Sequence, residues 1–247
     1  MELRNKEAFA RESALIRHCP ELKEKFPVSR VVYITKFGTG KARNRKGVVA
    51  TRSTKYYFTT TLPHLDEGRI VNLGMAFSEM CKYHNMDTIK AAYFILRKNG
   101  YSKKQILKNV GIKRLRKELW YLHVAPEGLE SVAELDFYLK LRKTDVKQPK
   151  CNPKIMLSKC QAILCGTRSI RPDFYYPEEK VAIEFQSIEH HVGTVEGVFH
   201  DHAKMNSYID MGITCFQVNV DYINKVGVFE AFIKMLKRQL TLNDRKV

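Results

Sequence analysis

Apolar residues in the second half of the chain form strand-like runs in some places and recur at helical spacing in others. Two short apolar runs flank the polar segment 177–180, which indicates a β-hairpin. Ser131 followed three residues later by Glu134 indicates a helix start, and Gly212 indicates a helix stop. The predicted elements are, in chain order, a helix after Ser131, strands at Phe174–Tyr176 and Val181–Phe185, a helix over 200–211, a strand over 213–220 and a helix over 227–240. This order predicts an α/β fold whose sheet contains both hairpin and crossover connections.

The first half of the chain shows mainly helical periodicity. Apolar residues recur at helical intervals over residues 69–77 and 88–96, whereas 31–34 and 47–50 are strand-like. The segment Ala125-Pro126-Glu127-Gly128 interrupts regular structure. We therefore predict a basic, mainly helical domain with some β-structure over residues 1–126 and an α/β domain over residues 127–247.

The composition is that of an ordinary globular protein, with 44% hydrophobic and 28% charged residues. The first 17 residues are charged throughout and lack the apolar core of a signal peptide, and no apolar run approaches the roughly 18 residues of a membrane span. We therefore expect a cytoplasmic protein that does not enter a membrane. Six cysteines without close pairs suit a reducing compartment. A zinc site built from Cys151, Cys160, Cys165 and a nearby histidine is the less favoured alternative, because the spacing is irregular.

Positive charge is concentrated in the first half. The formal net charge is +17, and residues 1–126 contain 26 Lys and Arg against 10 Asp and Glu, which gives them +16. A basic half joined to a nearly neutral half indicates that one part of the protein attracts a polyanion. The alternative is a basic surface that serves only solubility.

Two basic segments are the candidate nucleic-acid contacts. Residues 36–46 lie between two strand-like runs and contain glycines that leave backbone N–H groups accessible to phosphates, so we expect a mobile hairpin tip. Residues 102–117 have a cap signal at Ser102 and a break at Gly111, which fits two short helices joined by a tight turn. A solvated loop and a solvated helix pair are the alternatives. The candidate cations are Lys36, Lys41, Arg43, Arg45, Lys46, Lys113, Arg114 and Arg116.

The predicted hairpin carries acidic groups where a buried strand is expected. Asp173 precedes its first strand, and Glu184 lies within the apolar run of its second strand. A buried carboxylate requires a compensating charge, most simply a divalent cation held by oxygen ligands. The alternative is structural, with Asp173 making a turn and Glu184 pairing with Lys180 or Lys204.

These residues resemble a known nuclease motif. The pattern consists of Arg171-Pro172-Asp173-Phe174, Val181-Ala182-Ile183-Glu184-Phe185-Gln186, His190, Asp201-His202-Ala203-Lys204 and Met211-Gly212-Ile213. It is similar to the PD-(D/E)XK nuclease superfamily, and within it to the very-short-patch-repair endonuclease-like branch. The preceding region resembles the N-terminal region of AbiEi-type antitoxin-like proteins. The resemblance implies a restriction-endonuclease-like mixed sheet flanked by helices.

The resemblance also implies a metal site. Asp173 and Glu184 would hold Mg²⁺ or Mn²⁺ by oxygen ligation, helped by the Phe185 carbonyl. Glu134 is a candidate catalytic residue because a helix that enters the site with its N-terminus could direct this carboxylate toward the bound water. It could equally close the capping box of its helix.

Further roles follow for residues after the second strand. His190 matches a histidine near the attacking water, and Lys204, one helical turn after Asp201, could supply a cation. Gln186 stands where the superfamily has a lysine. This is a departure from the pattern, because glutamine carries no charge and transfers no proton.

The expected function is that of a divalent-metal-dependent endonuclease that hydrolyses DNA phosphodiester bonds, with the basic N-terminal domain binding the DNA. DNA is favoured over RNA because the resembling branch acts on DNA. A catalytically inactive nuclease-fold regulator or antitoxin-like protein that binds DNA is the main alternative, and a protein-interaction module is the third. A homodimer stays open, since enzymes that cut both strands often pair two subunits.

Overall fold

In the computed structural model the chain divides into two units, Met1–Val124 and Ala125–Val247. The division lies two residues before the boundary that the sequence predicts. The structure describes residues 7–9, 11–26, 31–35, 48–50, 65–66, 70–108, 119–186 and 195–244. Within these ranges, no helix has both the length and the apolar character needed to cross a membrane.

The first unit combines helices with a five-stranded sheet of order β3-β2-β1-β5-β4. Over its described residues, helical positions outnumber strand positions, in keeping with the predicted mainly helical domain. Its elements are β1 (Glu7–Phe9), α1 (Arg11–His18), a 3₁₀ helix (Pro20–Glu24), β2 (Val31–Thr35), β3 (Val48–Ala50), β4 (Leu65–Asp66), β5 (Ile70–Val71), α2 (Leu73–Met80), α3 (Met86–Lys98), α4 (Lys103–Leu107) and α5 (Trp120–Val124).

Side-chain caps start helices α2, α3 and α4 of this unit. The side-chain oxygen of Asn85 accepts a hydrogen bond from the Thr88 N–H at 2.9 Å at the start of α3. At α4, Ser102 and Gln105 form a reciprocal capping box, which confirms the predicted helix start. Such caps satisfy N–H groups that have no partner within the helix.

Two expectations for the first unit are wrong. The strands that border residues 36–47 pair in parallel, with Val31 opposite Val48, whereas a hairpin requires antiparallel neighbours. Residues 70–71 form a strand rather than the first turn of a helix, because the Asn72 side chain accepts a hydrogen bond from the Met75 N–H and starts α2 only at Leu73.

Within the part that the structure describes, the second unit contains the six predicted elements in the predicted order, together with five short elements that the sequence did not predict. Two of these five, a strand and a helix, lie in the apolar segment that begins at Ile155. The elements are α6 (Val132–Leu141), β6 (Lys150–Cys151), β7 (Ile155–Met156), α7 (Lys159–Cys165), β8 (Ser169–Ile170), β9 (Phe174–Tyr176), β10 (Val181–Phe185), α8 (Val195–Asp210), β11 (Thr214–Val218), α9 (Asp221–Asn224) and α10 (Val228–Asp244).

The main sheet of the second unit is mixed and has the order β11-β10-β9-β6. Strands β9 and β10 form the predicted antiparallel hairpin, and β10 pairs in parallel with β11 after a crossover through α8. Helix α8 ends at Asp210, and Gly212 follows two residues later with a φ of +66°, which suits a residue without a Cβ atom. The predicted α/β arrangement with both kinds of connection is therefore confirmed.

Different helices cover the two faces of this sheet. On one face Phe137 of α6 lies against Phe174, Phe185, Phe229 and Phe232, with ring centroids 5.2–5.9 Å apart. On the other face Ala182 of β10 belongs to a buried cluster with residues of α7 and α8. Because side chains alternate along a strand, Glu184 lies on the Ala182 face.

Gly128 allows the chain before α6 to approach β6 closely. A Cβ atom at this position would lie 2.2 Å from the carbonyl oxygen of Cys151, which is backbone and has no rotamer to change. The same close approach allows the Asn152 side chain to donate to the Gly128 carbonyl at 2.6 Å. The absence of a side chain at residue 128 therefore connects the start of α6 to the sheet.

We predict that Gly128→Ala destabilises the second unit by about 1–3 kcal/mol, because the backbone has to shift to admit the methyl group. The measurement is hydrogen exchange of the β9 and β10 amides, since the single tryptophan, Trp120, reports on the first unit. Gly212→Ala is the comparison, because no atom lies within 4 Å of its added Cβ and only the positive φ is strained. Equal protection in the two variants would contradict the prediction.

Candidate functional site

The hairpin register brings Asp173 and Glu184 together. Tyr176 pairs with Val181, Tyr175 with Ala182 and Phe174 with Ile183. The last pair of the ladder is Phe174 with Ile183, and Asp173 and Glu184 are the next residue on each side. The charge of Glu184 raises the pKa of Asp173, so the two carboxyl groups lie close together. Two acidic groups that are eleven positions apart in the sequence therefore become direct neighbours.

Glu184 is a buried carboxylate with two partners from α8. Its side chain is 10% exposed, and the Lys204 ammonium lies 2.8 Å from Oε1 and 2.9 Å from Oε2. The Tyr208 hydroxyl donates a further hydrogen bond to Oε1. Lys204 is one of the two structural partners that the sequence allows for Glu184, and the structure shows this pair.

Lys204 is held by more than the carboxylate. Its ammonium also donates to the backbone carbonyl of Arg171 at 2.9 Å, two residues before Asp173. The side chain of Lys204 is 19% exposed. The positive charge therefore lies in a largely enclosed position that is lined by oxygen atoms.

Asp173 is held against the second strand of the hairpin. Its Oδ2 accepts a hydrogen bond from the Phe185 N–H at 2.6 Å. Burial, followed by the nearby charges of Glu184 and Glu134, raises the pKa of Asp173 to about 7, against the lowering effects of the Phe185 N–H and Lys204. The protonated and ionised forms of Asp173 are therefore both populated near neutral pH when no cation is present.

Glu134 is near this pair, but its carboxylate does not form the second half of a capping box. Its backbone N–H donates to the Ser131 hydroxyl at 3.1 Å, which confirms the predicted cap. Its Oε2 instead accepts from the Glu130 N–H at 2.9 Å and from the Asn152 amide at 3.2 Å. Burial raises the pKa of Glu134. Because the charge of Glu134 raises the pKa of Asp173, the three carboxyl groups form one electrostatic cluster.

Asn152 is a residue that the sequence analysis missed. Its side chain donates to Gly128 and Glu134, and its backbone N–H donates to the Asp173 carbonyl at 3.0 Å. It adopts a φ of +46°, which asparagine tolerates better than most residues. The asparagine before a proline is only a weak turn signal, so local sequence could not reveal this link between α6 and the hairpin.

Tyr208 was also missed, although a signal was present. It follows Lys204 by four residues in a predicted helix, and residues at this spacing lie on the same helix face. The side chain is fully buried and donates to Glu184. Burial, followed by the Glu184 charge, raises the pKa of Tyr208, so the hydroxyl keeps its proton and remains a donor.

Gln186 and Phe185 continue from Glu184. The Gln186 N–H donates to the Val218 carbonyl at 2.7 Å, which continues the ladder between β10 and β11. The Phe185 ring belongs to the aromatic cluster on the opposite face, 5.2 Å from the Phe137 ring. Although both residues directly follow Glu184, Gln186 extends the sheet through its backbone, whereas the Phe185 side chain packs in the aromatic cluster.

Several predicted site residues lie outside the described residues. His190 falls in the segment 187–194, after β10. The basic candidates fall in 36–47 and 109–118, and they are Lys36, Lys41, Arg43, Arg45, Lys46, Lys113, Arg114 and Arg116. Their proposed contacts stay predictions.

The donor atoms at the hairpin are oxygens, which suit a hard cation. Mg²⁺ commonly uses one or two carboxylates and keeps several water ligands, so the pair Asp173 and Glu184 fits it. No group of three or more His, Cys, Asp and Glu that could hold a metal ion occurs among the described residues. This also leaves the alternative zinc site at Cys151, Cys160 and Cys165 without support, and all six cysteines are free thiols.

Comparisons of the chain with protein-family models, curated proteins and solved structures gave no match. The resemblance to the nuclease superfamily therefore depends on the motif residues themselves.

We predict that Asp173→Asn stabilises the metal-free second unit at pH 8 by about 1–3 kcal/mol and has little effect near pH 4. The folded-state pKa of Asp173, about 7, lies above its ordinary value of 3.8. The stabilising contribution is therefore complete below about pH 4 and is lost as the pH rises through about 7. Asparagine removes this loss and can still accept from the Phe185 N–H.

The measurement is hydrogen exchange of the hairpin amides at both pH values, in the presence of EDTA. Glu230→Gln at an exposed position of α10 is the matched control for the loss of one carboxylate. A difference between Asp173→Asn and wild type that does not change with pH would contradict the prediction.

Proposed function

We propose that the second unit is a divalent-metal-dependent endonuclease domain that hydrolyses DNA phosphodiester bonds. The observation that carries the proposal is the closeness of the Asp173 and Glu184 carboxyl groups where the β9–β10 pairing ends, with the Lys204 ammonium bound to Glu184. An oxygen pair next to a positive charge can hold both a cation and a phosphate.

The proposed fold is the restriction-endonuclease-like sheet that the motif implies. Three features support it: the β9–β10 hairpin, the parallel partner β11 reached through α8, and helices on both faces. Of the two acidic motif residues, Asp173 directly precedes β9 and Glu184 lies within β10.

In this proposal Asp173 and Glu184 hold Mg²⁺ or Mn²⁺, assisted by the Phe185 carbonyl. When bound, the ion would polarise a phosphoryl oxygen and lower the pKa of a water ligand. The Phe185 N–H orients Asp173, while Tyr208 orients Glu184. These two hydrogen bonds restrict the orientations that the Asp173 and Glu184 carboxylates can adopt.

The other residues have distinct proposed tasks. Lys204 stabilises the charge that develops on the phosphate, which a glutamine at residue 186 cannot do. His190 accepts a proton from the attacking water. The charge of Glu134 acts on Asp173 and raises the pKa of that carboxyl group. Lys204 thus supplies the positive charge from α8 that the superfamily pattern places on the strand.

The basic first unit is the proposed DNA-binding part. Residues 1–126 carry +16 of the net charge of +17, so the phosphate backbone is attracted mainly by this half. DNA is the proposed substrate because the resembling nuclease branch acts on DNA.

The second candidate is a DNA-binding regulator with an inactive nuclease fold. Two observations favour it: Gln186 replaces the motif lysine, and Lys204 already neutralises Glu184 in a buried ion pair. In this candidate the ion pair is purely structural and no metal binds.

We predict that the protein cleaves plasmid DNA in Mg²⁺ or Mn²⁺ and not in EDTA. Asp173→Asn and Glu184→Gln should each reduce the cleavage rate by roughly 100-fold or more, because each removes a charged oxygen ligand with little change of shape. Glu230→Gln, which changes an exposed carboxylate of α10, should retain wild-type activity.

The outcome separates the two candidates. Cleavage that both site variants lose supports the enzyme. Tight DNA binding without cleavage by the wild type, with or without metal, would refute the enzyme and support the regulator.

We predict that neutralising Lys41, Arg43 and Arg45 lowers the salt dependence of DNA binding. Each phosphate contact removed should reduce the slope of log K against log salt by roughly one. Binding titrations from low to moderate salt give the slope. Neutralising the exposed cations Lys154, Lys234 and Arg238 of the second unit is the control. An unchanged slope in the first variant would exclude the segment 36–46 as a main contact.

A further inference from the structure

The Lys204 ammonium makes the contacts of a bound cation. Its Nζ lies 2.8 Å and 2.9 Å from the two Glu184 oxygens and 2.9 Å from the Arg171 carbonyl oxygen. An ammonium has three N–H donors, so these three oxygens can use all of them. The position is lined by carboxylate and carbonyl oxygens, which are the ligand types that hard divalent cations prefer.

Glu184 has little capacity left for another cation. Oε1 accepts from both Lys204 and Tyr208, and Oε2 accepts from Lys204. A carboxylate offers about four lone-pair positions. A divalent ion beside the ammonium would also be repelled by it, and this repulsion is weakly screened in a site where the Glu184 side chain is 10% exposed.

Asp173, in contrast, keeps a free position. Its Oδ2 accepts from the Phe185 N–H, and its Oδ1 has no hydrogen-bond donor among the residues that the structure describes. The carboxylate pair is therefore occupied by a cation on the Glu184 side and open on the Asp173 side.

We propose that Lys204 is a tethered cation that occupies the ion position at Glu184 in the metal-free protein and has to leave it before a divalent ion binds. This inference rests on the proposed function, since it concerns the same ion. The lysine side chain has a flexible stem of four carbon atoms, so the ammonium can move away from Glu184 while α8 stays in place.

Two consequences follow from the exchange of cations. In the metal-free protein, Lys204 prevents Glu184 from being an uncompensated buried charge, so the second unit folds without metal. Once displaced, the ammonium is released close to the carboxylates, where a phosphate would be bound. Lys204 is thus a competitor for the metal and, after displacement, a partner for the substrate.

The test is calorimetric titration of Mn²⁺ into the full-length protein without DNA. Lys204→Gln and Lys204→Met should bind Mn²⁺ roughly tenfold more tightly than wild type, because the competing charge is gone. Lys204→Arg keeps the charge and should bind no more tightly than wild type. Lys234→Met removes one exposed positive charge from α10 and should also match the wild type.

Thermal unfolding supplies a second readout that does not depend on activity. In EDTA the Lys204→Gln variant should melt below wild type, and Mn²⁺ should raise its Tm by more than it raises that of wild type. If Lys204→Met folds only when Mn²⁺ is present, thermal unfolding shows a transition with Mn²⁺ and none in EDTA. This result would also support the inference, because the ion would then replace the missing ammonium.

The outcomes separate this inference from the proposed function. Mn²⁺ uptake by wild type with equal or weaker uptake by the two neutral variants overturns the inference and leaves the nuclease proposal standing. Absence of uptake by every variant overturns both. Tighter uptake by Lys204→Arg would also overturn the inference, because the charge would then not be the competitor.

Discussion

A single buried carboxylate links the core of the second unit to its candidate site. Glu184 lies in β10 directly after three fully buried residues, and a charge at such a position requires compensation. Lys204 and Tyr208 provide it from one face of α8, which packs against Ala182 on the same side of the sheet. The docking of α8 and the neutralisation of Glu184 therefore depend on each other.

The two faces of the sheet differ in what they contribute. The face that packs on α6 and α10 is an aromatic cluster around Phe137 and contributes mainly apolar burial. The α8 face carries Glu184, and the pKa of the nearby Asp173 carboxyl group is raised. Two carboxyl groups that lie close together disfavour each other's ionised form. This unfavourable arrangement is the kind that functional sites retain, which is why it supports a binding role more strongly than composition does.

Local chemistry predicts much of this protein. The four-residue connection at 177–180 determines that Tyr176 pairs with Val181, and the same register makes Asp173 and Glu184 the first residues beyond the last pair, Phe174 and Ile183. Ser102, Ser131 and Gly212 mark helix ends through hydrogen bonds or dihedral angles within a few residues. Each of these features depends on neighbouring residues alone, so a sequence pattern contains the necessary information.

Partners that are distant in sequence were decided by the tertiary structure. Lys180 and Lys204 were equal candidates for Glu184 by sequence, but Lys180 is four residues away along the hairpin, roughly 13 Å in an extended strand. Only the packing of α8 brings Lys204 to the carboxylate, and only the close approach at Gly128 brings Asn152 to Glu134. The parallel pairing of β2 and β3 is equally non-local. The sequence alone determined the main elements of the second unit, the hairpin and its two acidic residues, whereas their long-range partners depend on how the elements pack, which no local pattern encodes.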